Sequence, residues 1–211
     1  MKTNTLAMLT LFVVLAAGLR AEDKDGWVTI LDAKTFKDWT VMPGKAGVAV
    51  EDSDGLKKFD KGQWSFKDGI LKGEGDVSHI FSPRGDYENF SYKAEIKISD
   101  KGNSGQYFRT KKANSFPPGY EAQINSTHGD TKRTGSLYNF VNVTEKLVPP
   151  DTWFTQEVIA DGNHIIIKVN DKVTADFVDA KNSFMKGHFA FQQHNLGSEV
   201  QIKNVQVKEK K

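Results

Sequence analysis

The sequence predicts an all-β fold, a jelly-roll sandwich of two antiparallel sheets. Residues 92–99 alternate between apolar and polar side chains, which is typical of a strand with one buried face. Three segments rich in β-branched and aromatic residues, 154–160, 164–170 and 172–177, are separated by Asp-Gly-Asn and Asn-Asp turn signals. No segment keeps a helical period over ten residues. Many short strands in one chain of 211 residues indicate a sandwich or jelly roll.

Further elements complete this prediction. Residues 64–71 form a second hairpin around Asp68-Gly69, and residues 200–207 alternate as a closing strand. Residues 44–62 and 111–119 are rich in Gly, Lys, Asp or Pro and are predicted to be long loops, which in compact domains are often functional. Since no repeat or low-complexity linker divides the chain, residues 22–211 are expected to form one domain.

The first 21 residues are expected to be a signal peptide. Lys2 provides a positive start, residues 6–19 are almost entirely apolar, and a small residue, Ala21, ends the segment. The apolar run is shorter than the roughly 20 residues that a stable membrane span needs. We therefore expect a secreted or periplasmic protein without a membrane span in its mature chain. An uncleaved anchor is the alternative.

Charge and cysteine content exclude several functions. Lys2 and Arg20 belong to the leader, so 27 of the 29 basic residues remain against 27 acidic ones. A balanced charge predicts no binding to nucleic acid or to anionic membranes. The chain has no cysteine, which excludes a thiol nucleophile and a Cys-ligated metal.

Three strands carry polar side chains on a predicted outward face. In 120–125, Tyr120, Ala122 and Ile124 point inward, which leaves Glu121, Gln123 and Asn125 outside. In 188–194, an inward Phe189 and Phe191 leave His188, Gln192 and His194 outside, and Arg109 shares a face with Tyr107. Such faces are often simply solvated. If the three strands are neighbours in one sheet, they form a ligand groove. His79 is expected at the surface.

Several motifs, in order, resemble a known family. They are Gly102-Asn103-Ser104-Gly105, Phe108-Arg109, Gly119-Tyr120-Glu121-Ala122-Gln123-Ile124 and Thr134-Gly135-Ser136-Leu137-Tyr138. Together they resemble the 3-keto-disaccharide hydrolase domain family, whose glucanase-like relatives share a concanavalin A-like jelly roll. The resemblance covers residues 26–208. Two positions depart from the family pattern: Asn125 stands where Asp is frequent, and Lys203 stands where Arg is frequent.

The resemblance implies chemistry on sugars oxidised at carbon 3. Ordinary glycoside hydrolysis uses two carboxylates, and the E-x-D-x-E strand motif of laminarinase-type glucanases is absent here. A 3-keto group acidifies the hydrogen on carbon 2, so one base is sufficient for elimination of the group at carbon 1, or for hydration of the resulting glucal. We assign Glu121 as base, Arg109 as the cation at the developing oxyanion, and His194 as acid.

The remaining site residues are assigned to substrate binding, and they are Gln123, Asn103, Tyr138, His128, Gln192 and Lys203. A divalent metal ion held by Glu121 and His194 would also suit these side chains, although no tight metal motif is present. Arg109 has an alternative role as an ion-pair partner of Glu95 or Glu121.

The predicted function is therefore a hydrolase or lyase that acts on 3-keto sugars derived from glycosides. Its partner is an oligosaccharide or glycoside substrate, and it depends functionally on a sugar 3-dehydrogenase that makes the ketone. The alternative is a carbohydrate-binding module without turnover, because the same fold serves lectins.

Overall fold

The computed structural model describes residues 22–45, 49–53 and 55–210. The predicted signal peptide lies outside these residues. The described chain contains fifteen β-strands and one 3₁₀ helix, Phe36–Asp38. No helix in this part of the chain is long and apolar enough to cross a bilayer.

The strands form two antiparallel sheets, of which the larger has ten strands. Nine of them follow one another in the spatial order β13 (Lys172–Val178), β12 (His164–Val169), β11 (Phe154–Asp161), β8 (Phe90–Ile98), β15 (Glu199–Glu209), β6 (Ile70–Gly75), β5 (Gly62–Lys67), β4 (Lys57–Phe59) and β3 (Val50–Glu51). The tenth, β1 (Val28–Thr29), pairs with β15.

The smaller sheet has five strands and carries the polar residues discussed above. Its spatial order is β10 (Tyr120–Ile124), β9 (Ser104–Thr110), β14 (His188–Gln193), β7 (Ser78–Phe81) and β2 (Thr40–Pro43). Strands far apart in the sequence are neighbours here, since β9 pairs with both β10 and β14. The prediction of an all-β jelly-roll sandwich with two antiparallel sheets is confirmed.

The core lies between the two sheets. Along β8, Tyr92, Ala94 and Ile96 are at most 1% exposed, while the residues between them are partly exposed. Phe189 of the smaller sheet stacks on Tyr92 with ring centroids 3.9 Å apart. Burial of apolar area, at roughly 25 cal/mol per Å², is the main stabilising contribution in such a core. The described residues form this core without any disulfide bond.

Turn residues set the hairpins as predicted. Asp68 and Gly69 both have positive φ, +52° and +78°, and so do Asn170 and Asp171, +47° and +64°. Two successive residues with positive φ match the right-handed twist of the flanking strands in a two-residue hairpin. One loop prediction was wrong: residues 44–62 contain β3 and β4, two short strands at the edge of the larger sheet. Both residues of β3 are exposed and in β4 only Lys58 is, so a short edge strand can be as rich in charge as a loop.

Candidate active site

The outer face of the smaller sheet carries the predicted polar set. Tyr120, Ala122 and Ile124 are fully buried in the core, so Glu121 and Gln123 lie on the other face of β10. Phe189 and Phe191 are buried in the same core, and this confirms the predicted orientation of β14. Because β9 lies between β10 and β14, their polar side chains share one face.

A pocket of about 510 Å³ opens on this face. Six of the residues assigned from the sequence line it, and they are Asn103, Glu121, Gln123, Tyr138, Gln192 and His194. Glu121 and Gln123 lie on β10, Gln192 lies on β14, and Tyr138 lies in the connection after β10. Asn103 immediately precedes β9 and His194 immediately follows β14, so tertiary structure joins segments up to about 90 residues apart. A larger cleft of about 810 Å³ borders the distant β5–β6 edge, where Lys58, Gln63 and Glu74 line it. Because these side chains pair with neighbouring carboxylates or amides, we assign that cleft no function.

Glu121 lies at the centre of the pocket and is held by two neighbours. The Tyr107 hydroxyl donates to Glu121 Oε2 at 2.9 Å. The Gln123 side-chain nitrogen, oriented toward acceptors, donates to Glu121 Oε1 at 3.1 Å and to the Ser104 carbonyl at 2.9 Å. The carboxylate lies over Gly105, where a Cβ would stand only 2.2 Å from Oε1. Glycine at this position therefore makes room for the carboxylate.

The environment of Glu121 changes its acidity. Burial raises the pKa of this carboxyl to about 8, the Tyr107 hydrogen bond opposes the rise, and the negative charge of Asp130 adds to it. Burial disfavours an ionised carboxylate because the pocket solvates charge less well than water. A carboxyl with a pKa near neutral pH is suited to proton transfer.

Two amide oxygens at the pocket lack a hydrogen-bond partner among the described residues. They are Asn103 Oδ1 and Gln192 Oε1, on side chains that are almost fully buried. The Asn103 nitrogen is 3.3 Å from His128 Nδ1, and the Gln192 nitrogen donates to the Tyr107 hydroxyl at 3.4 Å. Unpaired buried acceptors are costly, so ligand hydroxyl groups are suitable donors for these two oxygens.

His194 lines the pocket, whereas His128, also assigned from the sequence, lies beside His194 and is not among the lining residues. The rings of His128 and His194 lie 5.5 Å apart, and His194 Nδ1 bonds with Asn195 Oδ1 at 2.9 Å. His128 Nδ1 accepts from the Asp130 backbone N–H at 3.1 Å. Nδ1 of the neutral ring is thus unprotonated, and its proton is on Nε2. Burial, together with the nearby His194, lowers the pKa of His128.

Asn125 organises the loop beside the pocket rather than lining it. Its Nδ2 donates to the carbonyl oxygens of Asp130 and Lys132, at 2.9 and 2.8 Å. Its Oδ1 accepts from the His128 backbone N–H and from Arg133 Nη1, both at 2.9 Å. An ionised Asp has no N–H to donate. Asn at position 125, where the family often has Asp, can therefore make the two donor bonds that hold this loop. The loop in turn brings Asp130 and Tyr138 to the pocket.

The described residues contain no cluster of side chains arranged to bind the predicted metal ion. No group of three or more His, Asp or Glu side chains in the described residues converges as a metal site. Glu121 is engaged by Tyr107 and Gln123, and His194 Nδ1 by Asn195. Since the side chains present do not fit a metal held by Glu121 and His194, no step of the chemistry below uses one.

Arg109, the predicted cation at the oxyanion, does not line the pocket, so its predicted catalytic role is not supported by the structure. Arg109 has φ +49°, and the β9–β14 register shifts beside it, so simple alternation from Tyr107 does not hold. Its guanidinium donates to the carbonyl oxygens of Glu88 at 2.6 and 2.9 Å and of Phe184 at 3.2 Å. Arg109 is 1% exposed and ties β9 to the segments before β8 and β14.

Lys203 lies away from the pocket altogether. It lies on β15 of the larger sheet, pairs with Glu95 at 3.1 Å and stands 4.4 Å from the centre of the Trp153 ring. Because the pocket is on the smaller sheet, Lys203 is not part of the site. The sequence could not show this, since strand neighbours are set by distant pairing.

Other pocket residues were missed from the sequence. Phe116, Phe140, Phe184 and Asp130 line the pocket from loops, where no periodic pattern gives an orientation. Gly105, the last residue of the Gly102-Asn103-Ser104-Gly105 motif, was a usable signal for the position of the carboxylate. His79 is fully buried rather than at the surface, and its ring stands edge-on to Tyr107 at 5.0 Å. Burial lowers the pKa of His79 to about 3, so the ring that supports Tyr107 is neutral.

The described residues form a β-sandwich with a polar pocket on the outer face of the smaller sheet, and comparison with known proteins identifies its family. Residues 26–208 match the family described as the 3-keto-alpha-glucoside-1,2-lyase-like domain. The chain belongs to this family.

Individual relatives are more distant. A 3-keto-disaccharide hydrolase of Bacteroides thetaiotaomicron is 24% identical over 187 residues, which cover 74% of this chain and 59% of that protein. The chain thus spans about three fifths of this curated relative. A candidate glycosyl hydrolase of Parabacteroides distasonis superimposes with a TM-score of 0.70 at 21% identity, over 89% of this chain and 95% of that one. The carbohydrate-binding module CBM66 of Bacillus subtilis gives 0.56 at 17% identity, over 82% and 96%. These structures share the fold.

Proposed function

We propose that this protein cleaves 3-keto glycosides by elimination, with Glu121 as the base. The observation that carries the proposal is the Glu121 carboxyl, which lines the pocket between the Tyr107 hydroxyl and the Gln123 amide and has its pKa raised to about 8. Membership of the family supports a substrate oxidised at carbon 3.

The proposed reaction moves one proton at each step. Ionised Glu121 removes the hydrogen from carbon 2, and the electron pair forms an enolate with oxygen 3. The ketone then re-forms, a double bond forms between carbons 1 and 2, and the bond from carbon 1 to the leaving oxygen breaks. His194, which lines the pocket, donates the proton that the leaving alkoxide takes. Asn103 Oδ1 and Gln192 Oε1 are the proposed acceptors for sugar hydroxyl groups beside the reacting carbons, because their own nitrogens already face His128 and Tyr107. Arg109 has no part at the enolate oxygen.

The substrate must come from an oxidoreductase that converts a sugar carbon-3 hydroxyl to a ketone. We propose that both proteins act outside the cytoplasm, where the predicted signal peptide would direct this one. Addition of water across the product double bond would complete a net hydrolysis, with oxygen at carbon 1 and a proton at carbon 2.

Ordinary glycoside hydrolysis is a second candidate, because the loop brings a second carboxylate to the pocket. Asp130 accepts from the Tyr138 hydroxyl at 3.2 Å and from the Lys132 backbone N–H at 2.9 Å. Hydrogen bonds and the positive charge of Lys132 lower the pKa of Asp130 against the opposing effect of its burial, whereas the pKa of Glu121 is raised. One carboxyl with a raised pKa and one with a lowered pKa resemble the general acid and the ionised carboxylate of a glycoside hydrolase.

One assay separates these functions. The purified protein is incubated with a 3-keto disaccharide and with the unoxidised parent, with and without a chelator, and released sugar is followed by mass. We expect cleavage of the keto sugar alone, unchanged by the chelator. Cleavage of the parent would favour hydrolysis by Glu121 and Asp130. Binding of either sugar without cleavage would favour a binding module and remove the catalytic role of Glu121.

The pH dependence of the reaction should report Glu121. A base must be ionised, so kcat/KM is expected to rise with pH along an acid limb whose midpoint lies near pH 8. The Tyr107→Phe variant removes the hydrogen bond that lowers this pKa. Its acid limb should move up by about one pH unit, with roughly a tenfold loss at pH 7 that is recovered at higher pH.

The matched control is Tyr92→Phe, which removes a core hydroxyl that has no hydrogen-bond partner among the described residues. Its pH profile should equal that of the unmodified protein. An unshifted limb in Tyr107→Phe would show that Glu121 does not control the rate.

A further inference from the structure

The pocket has two chemically different parts. Its floor holds the carboxylate and amides of Glu121, Gln123 and Gln192. Its rim holds two aromatic rings that remain open to solvent, Phe116 at 64% exposed and Phe140 at 38%. Large apolar side chains left in water beside a polar pocket indicate a binding surface.

Both rings are presented by anchored segments. Phe140 follows a turn in which its N–H donates to the Leu137 carbonyl at 2.9 Å, and its ring packs 5.4 Å from Tyr120. Phe116 precedes two prolines in the β9–β10 connection. That connection is closed by the Thr110 hydroxyl, which donates to the Pro118 carbonyl at 2.8 Å, and is tied across to β2 by Asn114, which donates to the Pro43 carbonyl at 2.7 Å.

We propose that Phe116 and Phe140 form a subsite for the leaving group, selective for groups with an apolar face. The proposal rests on the proposed function. If the oxidised ring lies on the floor with carbon 2 at Glu121, carbon 1 is adjacent, and the group that it carries extends toward the rim. The Phe116 ring lies 6.3 Å from that of His194, so the proposed acid stands between floor and rim, where the leaving oxygen is expected.

The favoured leaving groups are aryl and cycloalkyl alcohols, or a second sugar ring that presents its C–H face. Such surfaces stack on aromatic rings, and each aromatic contact contributes about 0.5–1.5 kcal/mol beyond the area it buries. A methoxy group is too small to contact both rings. The methyl glycoside should therefore have a low kcat/KM, although the bond broken at carbon 1 is the same.

The test compares the 3-keto cyclohexyl and 3-keto methyl glucosides. Both release simple alkanols of similar acidity, so the ratio of their kcat/KM values reports recognition of the leaving group. We expect the ratio to exceed about ten in the unmodified protein and to fall about tenfold in Phe116→Ala. The matched control is Val178→Ala, which shortens an exposed apolar side chain on β13 and should leave the ratio unchanged.

Binding measurements keep this test independent of catalysis. The same two glucosides are titrated calorimetrically into Glu121→Gln and into the double variant with Phe116→Ala. Tighter binding of the cyclohexyl compound that is lost with Phe116 supports the subsite even if no sugar is cleaved. Equal binding and equal kcat/KM for both compounds would overturn the subsite while leaving the proposed reaction intact, and failure of both compounds to bind would overturn the subsite as well.

Discussion

Glu121→Gln should lower kcat/KM on a 3-keto glycoside by at least about a thousandfold, since the amide cannot accept the carbon-2 proton. The amide retains the size of the carboxyl and can still accept from the Tyr107 hydroxyl, which now donates to Glu121 at 2.9 Å. Binding should therefore persist. The measurement is steady-state cleavage at pH 8–9, together with calorimetric titration of the same substrate.

The control for this variant is Glu145→Gln, an exposed carboxyl outside the pocket, which should keep full activity. Near-normal turnover by Glu121→Gln would rule out Glu121 as the base. Loss of binding with no separate effect on kcat would instead assign it to substrate recognition.

The same substitution should affect stability in a pH-dependent way. The pKa of Glu121 is raised from 4.5 to about 8 in the folded protein, so folding favours the protonated form. The folded state is then progressively destabilised as pH rises from about 4.5 to 8, and the cost is complete above that range. Urea unfolding at pH 9 should show Glu121→Gln more stable by on the order of 2–4 kcal/mol, with a difference near zero at pH 4.

Arg109→Ala is expected to lower the free energy of unfolding by about 3–5 kcal/mol. Arg109 is 1% exposed and bonds the carbonyl oxygens of Glu88 and Phe184, which the variant leaves buried without that donor. Lysine should restore little of the loss, because one ammonium group cannot reproduce the planar set of donors. Denaturant unfolding measures the change, and kcat is compared at a temperature where the variant is folded.

The control is Arg84→Ala, which removes a partly exposed arginine paired with Glu209 at 2.7 Å and should cost about 1 kcal/mol or less. If Arg109→Ala kept normal stability but lost kcat a thousandfold with KM unchanged, the original assignment of Arg109 to catalysis would stand and its structural role would be wrong.

The difference between Glu121 and Arg109 shows which features of a site the sequence can predict. Along β10, uninterrupted alternation with Tyr120 and Ala122 inward was sufficient to place Glu121 on the outer face. Along β9, the same rule failed at Arg109 because the residue has positive φ and the register shifts beside it. Alternation is a local rule, and a bulge interrupts it.

Local chemistry in the sequence alone determined most of the strands but not β3 and β4, together with the hairpin turns and the inward faces of β10 and β14. Through the family motifs it also gave most of the polar pocket floor. Tertiary structure alone decided which strands became neighbours, and so excluded Lys203 and joined Asn103 to Gln192. It also decided that loops would bring Asp130, Phe116 and Phe140 to the rim. The physical reason is that side-chain direction in a strand follows from its own residues, whereas proximity and burial, which set the pKa of Glu121, depend on contacts between segments distant in the chain.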